Sequence, residues 1–282
     1  MEDLGYYNGR IGRLRDMSVP FLDRGHFFGD GVYEVTLARN YIIYALQEHI
    51  ERLYKSAEAL DINIPMSKDE LSRLLSELVK MLDSPDQLVY FQVTRGTDMR
   101  RHTYIEGMRG NIWVSLTHGL PKDIHQKIGA ITAPDTRWNH CNIKCLNLVP
   151  NVMYAQKAKN VGAYETILHR NGRVTECSHS NVHIINQRGD LQTHPADELV
   201  LDGIAKRHLI RACGELGINV LEKPFSLDEM MNAKEILTSS STAFCYICER
   251  IDGEAVGGKD TNTAELLRDT VIGYFIDATG GI

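Results

Sequence analysis

The order of hydrophobic and polar positions predicts both strands and helices in the first half of the chain. Residues 32–37 and 41–45 are rich in β-forming residues and flank Arg39-Asn40, which predicts a hairpin. Leucine, isoleucine and alanine then recur at helical spacing over 46–60. The capping-box pattern Ser67-Lys68-Asp69-Glu70 predicts the start of a second helix, because serine and glutamate in these positions bond each other's backbone N–H groups. Buried strands are predicted at 88–94 and 112–117.

The second half of the chain alternates strands with helices after a boundary at His118-Gly119-Leu120-Pro121-Lys122. We therefore expect an N-terminal α/β domain at 1–118, a linker at 119–122 and a C-terminal domain at 123–282. The predicted strands are 127–133, 164–169, 173–176, 181–187, 234–238 and 244–250. The predicted helices are 150–160, 204–216, 261–277 and a short one after the capping box Ser226-Leu227-Asp228-Glu229. This hairpin-rich pattern favours an α+β fold over a doubly wound parallel sheet.

Composition and charge exclude several classes of function. Hydrophobic residues make up 43% and charged residues 24% of 282, as in an ordinary globular protein. The net charge of −6 gives no basic surface for nucleic acid, and no apolar run reaches the ~20 residues of a membrane span. The start Met1-Glu2-Asp3-Leu4 lacks the pattern of a signal peptide, and six scattered cysteines indicate reduced thiols, so we expect a cytoplasmic protein. Cys245 and Cys248 have CxxC spacing without a second ligand pair, so no metal site is predicted.

Lys144 and Glu176 are the first candidates for chemistry. Lys144 stands among apolar residues in Asn142-Ile143-Lys144-Cys145-Leu146, and burial would favour its neutral amine over the ammonium. A neutral lysine amine can attack an aldehyde and form a Schiff base. Glu176, in Val174-Thr175-Glu176, could hold a protonated ring nitrogen, and lysine plus acid is the pair that pyridoxal 5'-phosphate (PLP) needs. An exposed lysine and an exposed strand glutamate fit the same local sequence.

Three further segments could bind a phosphate and one could bind a carboxylate. Leu201-Asp202-Gly203-Ile204-Ala205 precedes a predicted helix, whose first N–H groups lack partners. Thr238-Ser239-Ser240-Ser241-Thr242 is predicted as a hydroxyl-rich loop, and Arg52 lies on a predicted helix. Arg100 and His102 alternate, so in extended backbone their side chains point the same way, and arginine suits carboxylates. A helix cap, a polar loop and solvated charges would account for the same residues.

These segments occur together and in order in a known family. The residues that carry the likeness are 23–35, 48–54, 90–97, 143–148, 165–171, 174–176 and 180–182. On these residues the chain resembles the PLP-dependent aminotransferases of fold type IV, and most closely the D-amino acid aminotransferases, nearly end to end. The resemblance implies a two-domain α+β fold, with a larger C-terminal domain that has a β-barrel-like core and with PLP at the domain interface.

The resemblance also implies a role for each candidate residue. Lys144 matches the lysine that binds PLP and moves the proton, and Glu176 matches the acid that pairs with the pyridine nitrogen. The matching residues are Arg52, Ile204, Ala205 and Ser240 for the phosphate, and Tyr33, Arg100 and His102 for the substrate carboxylate. The family supplies the last two from the neighbouring subunit, which implies a homodimer with shared sites. The implied reaction is ping-pong transamination between a D-amino acid such as D-alanine and a 2-oxo acid such as 2-oxoglutarate or pyruvate.

Two residues depart from the pattern of the D-amino acid enzymes. Ala205 stands where they carry threonine, which removes one hydroxyl from the phosphate site at a cost of about 1 kcal/mol. His179 replaces a small serine. Branched-chain aminotransferases and 4-amino-4-deoxychorismate lyase share the fold without the pair Arg100 and His102. Such a lyase, a branched-chain or (R)-amine aminotransferase, and a non-catalytic binding protein of this fold are the alternatives.

Overall fold

The computed structural model describes residues 2–119 and 123–280, which form two compact units. The first unit comprises Met1–Leu120, Ile143–Asn147 and Ile276–Ile282, and the second comprises Pro121–Asn142 and Leu148–Phe275. The predicted C-terminal domain, 123–282, therefore contains two short segments that belong to the first unit. The predicted linker, 119–122, falls mostly on 120–122, outside the described residues, and stays a prediction.

The first unit is built on an antiparallel sheet. Its elements are β1 (Asp3–Tyr7), β2 (Arg10–Gly12), α1 (Arg24–Phe28), β3 (Gly31–Arg39), β4 (Ile42–Ile43), α2 (Leu46–Glu58), α3 (Lys68–Leu78), β5 (Gln87–Thr94) and β6 (Asn111–His118). The strands lie in the order β2-β1-β6-β5-β3-β4. The predicted hairpin is confirmed, since Ala38 pairs with Ile43 across a turn in which Asn40 and Tyr41 have positive φ, the backbone that tight hairpins need.

The apolar faces of α2 and α3 join the sheet in one hydrophobic core. Fully buried members of that core include Ile50, Leu53, Leu71, Leu75 and Phe91. Each such side chain contributes about 1.5–3 kcal/mol relative to an exposed one. The predicted capping box of α3 is confirmed, because Glu70 N–H donates to Ser67 Oγ at 3.3 Å and Ser67 N–H donates to Glu70 Oε2 at 2.7 Å. This core packs α2 against β3.

The second unit is built on a mixed sheet. Its elements are β7 (Lys127–Pro134), α4 (Val149–Asn160), β8 (Glu165–Arg170), β9 (Arg173–Cys177), β10 (Asn181–Ile185), β11 (Leu191–Thr193), α5 (Ile204–Glu215), β12 (Val220–Glu222), α6 (Leu227–Asn232), β13 (Glu235–Ser240), β14 (Phe244–Ile251), β15 (Glu254–Ala255) and α7 (Thr261–Thr279), the last residues of which belong to the first unit. The strands lie in the order β12-β11-β10-β13-β14-β7-β8-β9, and β15 pairs with β14. The pairs β11–β12, β14–β7 and β7–β8 are parallel.

The α+β prediction is confirmed by this mixture of helices with antiparallel and mixed sheets, which includes a curled half-barrel sheet. The predicted strand 234–238 continues further than expected, so the prediction of a loop is wrong for Ser239 and Ser240. Both residues belong to β13, because β14 supplies hydrogen-bonding partners as far as the Ser240–Phe244 pair. Within the described ranges, no helix combines the length and the apolar character that a membrane crossing requires.

Candidate functional site

Backbone hydrogen bonds hold Lys144 beside β3. The N–H of Tyr33 donates to the Lys144 carbonyl oxygen at 3.0 Å, and the N–H of Leu146 donates to the Gly31 carbonyl oxygen at 2.9 Å. The N–H of Lys144 itself donates to Ser56 Oγ on α2 at 3.2 Å. Lys144 is half-buried, so it is less shielded than its apolar sequence neighbours led us to expect. Its position is therefore fixed by the backbone rather than by burial of its side chain.

Among the predicted site residues of the first unit, Tyr33 contacts the side chain of this lysine. Lys144 Nζ lies 4.4 Å from the centre of the Tyr33 ring, a distance at which an ammonium is attracted to the aromatic face. The Tyr33 ring stacks on Tyr90, with centroids 5.6 Å apart, and Tyr90 in turn contacts Trp113. Burial raises the pKa of Tyr90, so its hydroxyl stays protonated and donates to Gln92 Oε1. The first unit thus brings together Lys144 and the predicted carboxylate-binding Tyr33.

Arg52 is held in a buried ion pair with a residue that sequence reasoning missed. Its Nε and Nη2 donate to Glu34 Oε1 and Oε2 at 2.7 and 2.8 Å, and His49 Nδ1 lies 2.6 Å from Glu34 Oε2. Burial alone would raise the pKa of Glu34, but the charge and hydrogen bonds of Arg52, with help from His49, lower it to about 2. Burial lowers the pKa of His49. At neutral pH a carboxylate and a neutral imidazole therefore fix the plane of the Arg52 guanidinium.

Arg100 and His102 lie close together on an exposed loop. The Arg100 Cζ atom lies 5.2 Å from the centre of the Phe28 ring, and the His102 ring centre lies 5.5 Å from it. Both side chains thus approach one aromatic ring, as expected for residues whose side chains point the same way. Both are exposed in this chain. Exposure leaves the guanidinium and the imidazole accessible to a ligand.

Glu176 is buried at the end of β9, where three donors meet its carboxylate. Arg137 Nη1 donates to Oε1, Leu201 N–H donates to Oε2 at 3.0 Å, and Asn181 Nδ2 donates to Oε2 at 3.2 Å. Burial raises the pKa of Glu176, and this outweighs the opposing effect of Arg137. Glu176 is therefore a carboxyl group that shares or holds a proton more readily than an exposed glutamate.

Arg137 connects Glu176 to a second buried carboxylate. Its Nε and Nη2 donate to Asp135 at 3.0 and 2.9 Å, and Arg170 Nε and Thr175 Oγ1 donate to Asp135 Oδ2 at 3.2 and 3.0 Å. Burial would raise the pKa of Asp135, but the hydrogen bonds and charge of Arg137 bring it below the ordinary value. The result is a row of alternating charges, from Arg170 through Asp135 and Arg137 to Glu176, that fixes the orientation of the last carboxylate.

The first residues of α5, Ile204 and Ala205, are buried at an N-terminus that no side chain caps. Its N-cap residue is Gly203, where a Cβ atom would overlap Asn181 Oδ1. Asn181 also bonds the Leu201 carbonyl oxygen through Nδ2, at 3.1 Å. A side chain at position 203 would therefore clash with Asn181, so glycine is required there. The uncapped N–H groups of the helix can bind an anion.

Asn181 links this helix end to the other predicted residues of the second unit. It donates to Glu176, and on β10 it pairs in register with Ser239, the neighbour of Ser240 on β13. Ser240 is half-buried at the last position of β13. Asn181 thus contacts the predicted acid directly and lies beside Gly203 and Ser239, the chain neighbours of the predicted phosphate-binding residues Ile204 and Ser240.

His179 contacts a buried carboxylate. Its Nδ1 lies 2.9 Å from Oε2 of the fully buried Glu165, and Ser180 Oγ donates to the same oxygen at 3.0 Å. The N–H of Ser178 donates to the other oxygen at 2.9 Å. The side chain of His179 therefore binds a glutamate that organises the turn directly after Glu176.

The described ranges, 2–119 and 123–280, hold no group of three or more histidine, cysteine, aspartate or glutamate side chains arranged for a metal ion. The CxxC pair consists of two buried thiols. Burial raises the pKa of Cys245 to about 12 and that of Cys248 to about 11, so both stay protonated and unreactive at neutral pH.

Sequence reasoning missed the residues that orient the predicted ones, namely Glu34, His49, Arg137 and Asn181. A signal was present for His49, which lies three residues before Arg52 and therefore on the same helix face. No local signal connects Arg137 with Glu176, because 39 residues separate them in the chain. Such a pairing appears only once β7 and β9 have their places in one sheet.

Comparison with known proteins gives evidence that is separate from this geometry. Residues 31–251 match the family described as Amino-transferase class IV. A D-alanine aminotransferase from Bacillus licheniformis is 41% identical over 254 residues, which cover 89% of each chain. A branched-chain aminotransferase from Thermoproteus uzoniensis has the same fold, with a TM-score of 0.85, 23% identity and coverage of 98% of this chain and 96% of that one.

A hypothetical aminotransferase from Mycobacterium tuberculosis in its PLP-bound form also has this fold, with a TM-score of 0.81, 18% identity and coverage of 96% of this chain and 99% of that one. The fold and the family that the residues led us to expect are therefore confirmed, and the chain belongs to the class IV aminotransferases.

Proposed function

We propose that this protein is a PLP-dependent aminotransferase that transfers the amino group of a D-amino acid, of the D-alanine type, to a 2-oxo acid. The observation that carries the proposal is the fixed position of Lys144 beside Tyr33, in a chain closely similar to enzymes named D-alanine aminotransferase. Arg100 and His102 on one ring support the choice of amino acids as substrates, because they offer a guanidinium and an imidazole to a carboxylate.

The chemistry of the available donors fits PLP. Its phosphate needs cations and N–H or O–H donors, and these are offered by the guanidinium of Arg52, the uncapped amides of Ile204 and Ala205, and the hydroxyl of Ser240. Its pyridine nitrogen needs a carboxyl group, which Glu176 offers. Its aldehyde needs an amine, which Lys144 offers. Ala205 lacks the hydroxyl group of a threonine, but its backbone N–H can still donate to the phosphate.

When bound, PLP supplies an electron sink for the carbon that carries the amino group. Lys144 Nζ would take the proton from that carbon and deliver it to the aldehyde carbon of PLP, a role for which the two backbone hydrogen bonds to β3 keep the segment in place. Tyr33 lies against Nζ and orients it. The two substrates use the same site in turn, which gives ping-pong kinetics.

Glu176 would hold the ring nitrogen of PLP in its protonated form through its carboxyl group. Arg137 holds that carboxyl group in one orientation, and the N–H of Leu201 and the amide of Asn181 occupy its other oxygen. Because burial raises the pKa of Glu176, the group accepts a shared proton more readily than a solvated carboxylate does. The electron sink would depend on that proton, so the row of charges from Arg170 to Glu176 would contribute to the reaction rate.

We also infer that two copies of the chain share their sites, with Arg100 and His102 acting in the neighbouring copy. The loop of these residues is exposed here and carries apolar side chains, since Met99 is 64% and Ile105 56% exposed. Apolar surface of this kind is typical of an interface. Light scattering would test the dimer.

All six cysteines lie in the described ranges as free thiols, which supports a reducing, cytoplasmic location.

The central experiment removes the amine. Lys144→Ala, loaded with PLP, should lose transamination of D-alanine with 2-oxoglutarate completely and should lose the visible absorbance of the bound cofactor. Lys159→Ala, which changes an exposed lysine of α4, is the matched control and should keep both. An active, yellow Lys144→Ala protein would contradict the proposal.

A donor screen separates this function from its alternatives. D-Alanine, L-leucine and (R)-1-phenylethylamine are compared with 2-oxoglutarate as acceptor and with chiral analysis of the product. We expect turnover of D-alanine with formation of D-glutamate and pyruvate. Pyruvate formed from 4-amino-4-deoxychorismate without any acceptor would instead indicate a lyase, and a colourless protein with added PLP would indicate a non-catalytic one.

A further inference from the structure

Arg24 is a buried arginine that the proposed reaction does not use. Its side chain is 3% exposed, and its Nε donates to Asp30 Oδ2 at 2.8 Å. Its Nη1 donates to the carbonyl oxygens of Arg101 and Thr103, at 2.8 and 3.3 Å. These two carbonyl groups stand on either side of His102. One guanidinium therefore holds the backbone of the loop that carries both predicted carboxylate-binding residues. His102 lies between the two bonded carbonyl groups, and Arg100 lies one residue before the first.

The anchor of this guanidinium is itself rigid. Asp30 also accepts hydrogen bonds from Arg95 Nε, at 3.0 and 2.9 Å. Arg95 in turn donates to the carbonyl oxygens of Asp61 and Leu60, at 2.9 and 2.7 Å, just beyond the end of α2. The N–H of Arg24 donates to the Gly96 carbonyl oxygen at 2.9 Å. Arg24 is thus fixed on both its backbone and its side chain before it reaches the loop.

Phe28 connects Arg24 with the side chains of the loop. The Arg24 Cζ atom lies 5.0 Å from the centre of the Phe28 ring and the Arg100 Cζ atom 5.2 Å from it, distances at which a guanidinium is attracted to an aromatic ring. The His102 ring centre lies 5.5 Å from the same ring. The backbone and the side chains of the loop are therefore positioned by two residues of α1, Arg24 and Phe28, which lie about one helical turn apart.

We propose that Arg24, together with Phe28, is a positioning residue for the substrate carboxylate. It acts by fixing the loop so that Arg100 and His102 present their donors in one geometry before substrate arrives. The inference rests on the proposed function, because it assigns to these two residues the binding of a carboxylate. Lysine cannot replace Arg24, since a single ammonium lacks the planar set of N–H groups that reaches Asp30 and two carbonyl oxygens together.

The test compares Arg24→Lys and Phe28→Leu with Arg15→Lys, which makes the same chemical change at an exposed arginine. Each protein is loaded with PLP and assayed with D-alanine and 2-oxoglutarate. Both test variants should raise the KM for D-alanine about tenfold while kcat changes less than about threefold, the signature of weakened substrate binding. The dissociation constant for propionate, which is D-alanine without its amino group, should rise by the same factor in calorimetric titration. Arg15→Lys should change neither quantity.

The outcomes separate positioning from stability and from the proposed function. A general structural defect would lower kcat and the melting temperature without a matching change in propionate affinity. Unchanged KM and unchanged propionate affinity in both variants would overturn the positioning role, and Phe28→Leu decides alone if Arg24→Lys does not fold. Absence of D-alanine turnover in the unaltered protein would refute the proposed function, while the propionate titrations still decide the role of Arg24.

Discussion

Replacement of Arg137 by methionine should destabilise the protein strongly at alkaline pH. The substitution keeps most of the side-chain length and removes the guanidinium that bonds both Asp135 and Glu176, three side chains that are at most 9% exposed. Breaking a buried ion pair costs about 3–5 kcal/mol, because the partner is left as an unpaired buried charge. Arg170 stays on Asp135, at 3.2 Å, so we expect the lower end of that range. For a domain of this size about 3 kcal/mol lowers the melting temperature by roughly 6–12 °C.

The loss should depend on pH with a definite sign. Without Arg137, burial raises the pKa of Glu176 further above its value in the unfolded chain, and the pKa of Asp135 also rises. A carboxyl group whose pKa is raised by folding costs stability when it is ionised, and the cost decreases as falling pH protonates it in the folded state. The difference in melting temperature between Arg137→Met and the unaltered protein should therefore be larger at about pH 8 than at about pH 5.5.

Circular dichroism measures the melting temperatures of the PLP-free proteins at both pH values. All samples have the same protein concentration, because self-association also shifts a melting temperature. Arg188→Met, at an exposed position, is the matched control and should melt within about 1 °C of the unaltered protein. An equal melting temperature for Arg137→Met at about pH 8, or a larger loss at about pH 5.5, would refute the reasoning.

Three further substitutions act on cofactor binding, each measured by titrating PLP into the apoprotein. Glu34→Gln removes the charge that orients Arg52 and should weaken PLP binding about tenfold or more. Unchanged affinity would mean that Arg52 is oriented without Glu34. Gly203→Ala should weaken binding about tenfold, because its methyl group overlaps Asn181 Oδ1 and displaces the first turn of α5. Ala205→Thr adds a hydroxyl worth about 1 kcal/mol and should tighten binding about fivefold, whereas no gain would place that hydroxyl out of reach of the phosphate.

Long elements of the fold were predictable because their patterns repeat over several turns or pairs. The helix α2 repeats apolar positions over several turns, and the start of α3 is marked by its capping box, so both can be recognised locally. The strands β11 and β12 do not, because each contains three residues and they pair in parallel across a helix and two loops. The helix α1, with five residues, is also too short to show a periodic pattern. Such elements exist because of tertiary pairing, which a local pattern does not encode.

The residues of the candidate site also fall into those that a local motif reveals and those that only the fold brings together. Lys144, Glu176 and the pair Arg100 and His102 are recognisable because a motif preserves their order along the chain. The groups that orient them are not, because the contact of Arg137 with Glu176 or of Arg24 with Thr103 joins residues 39 and 79 positions apart. Burial of Lys144 was overestimated for a related reason, since apolar neighbours in sequence need not surround a side chain in space. Sequence thus indicates which groups we propose to react, and folding decides how firmly they are held.

The short segment Ile143–Asn147 has a consequence for the synthesis of the protein. It belongs to the first unit, where the N–H of Leu146 bonds the Gly31 carbonyl oxygen on the edge of β3 that β5 does not cover. Domains generally fold as they leave the ribosome, the N-terminal one first. This stretch of strand edge therefore stays open until more than a hundred further residues have been made, and open edges are templates for aggregation. A fragment ending at residue 119 would keep that edge permanently, so aggregation of nascent chains is a hazard built into the order of the sequence.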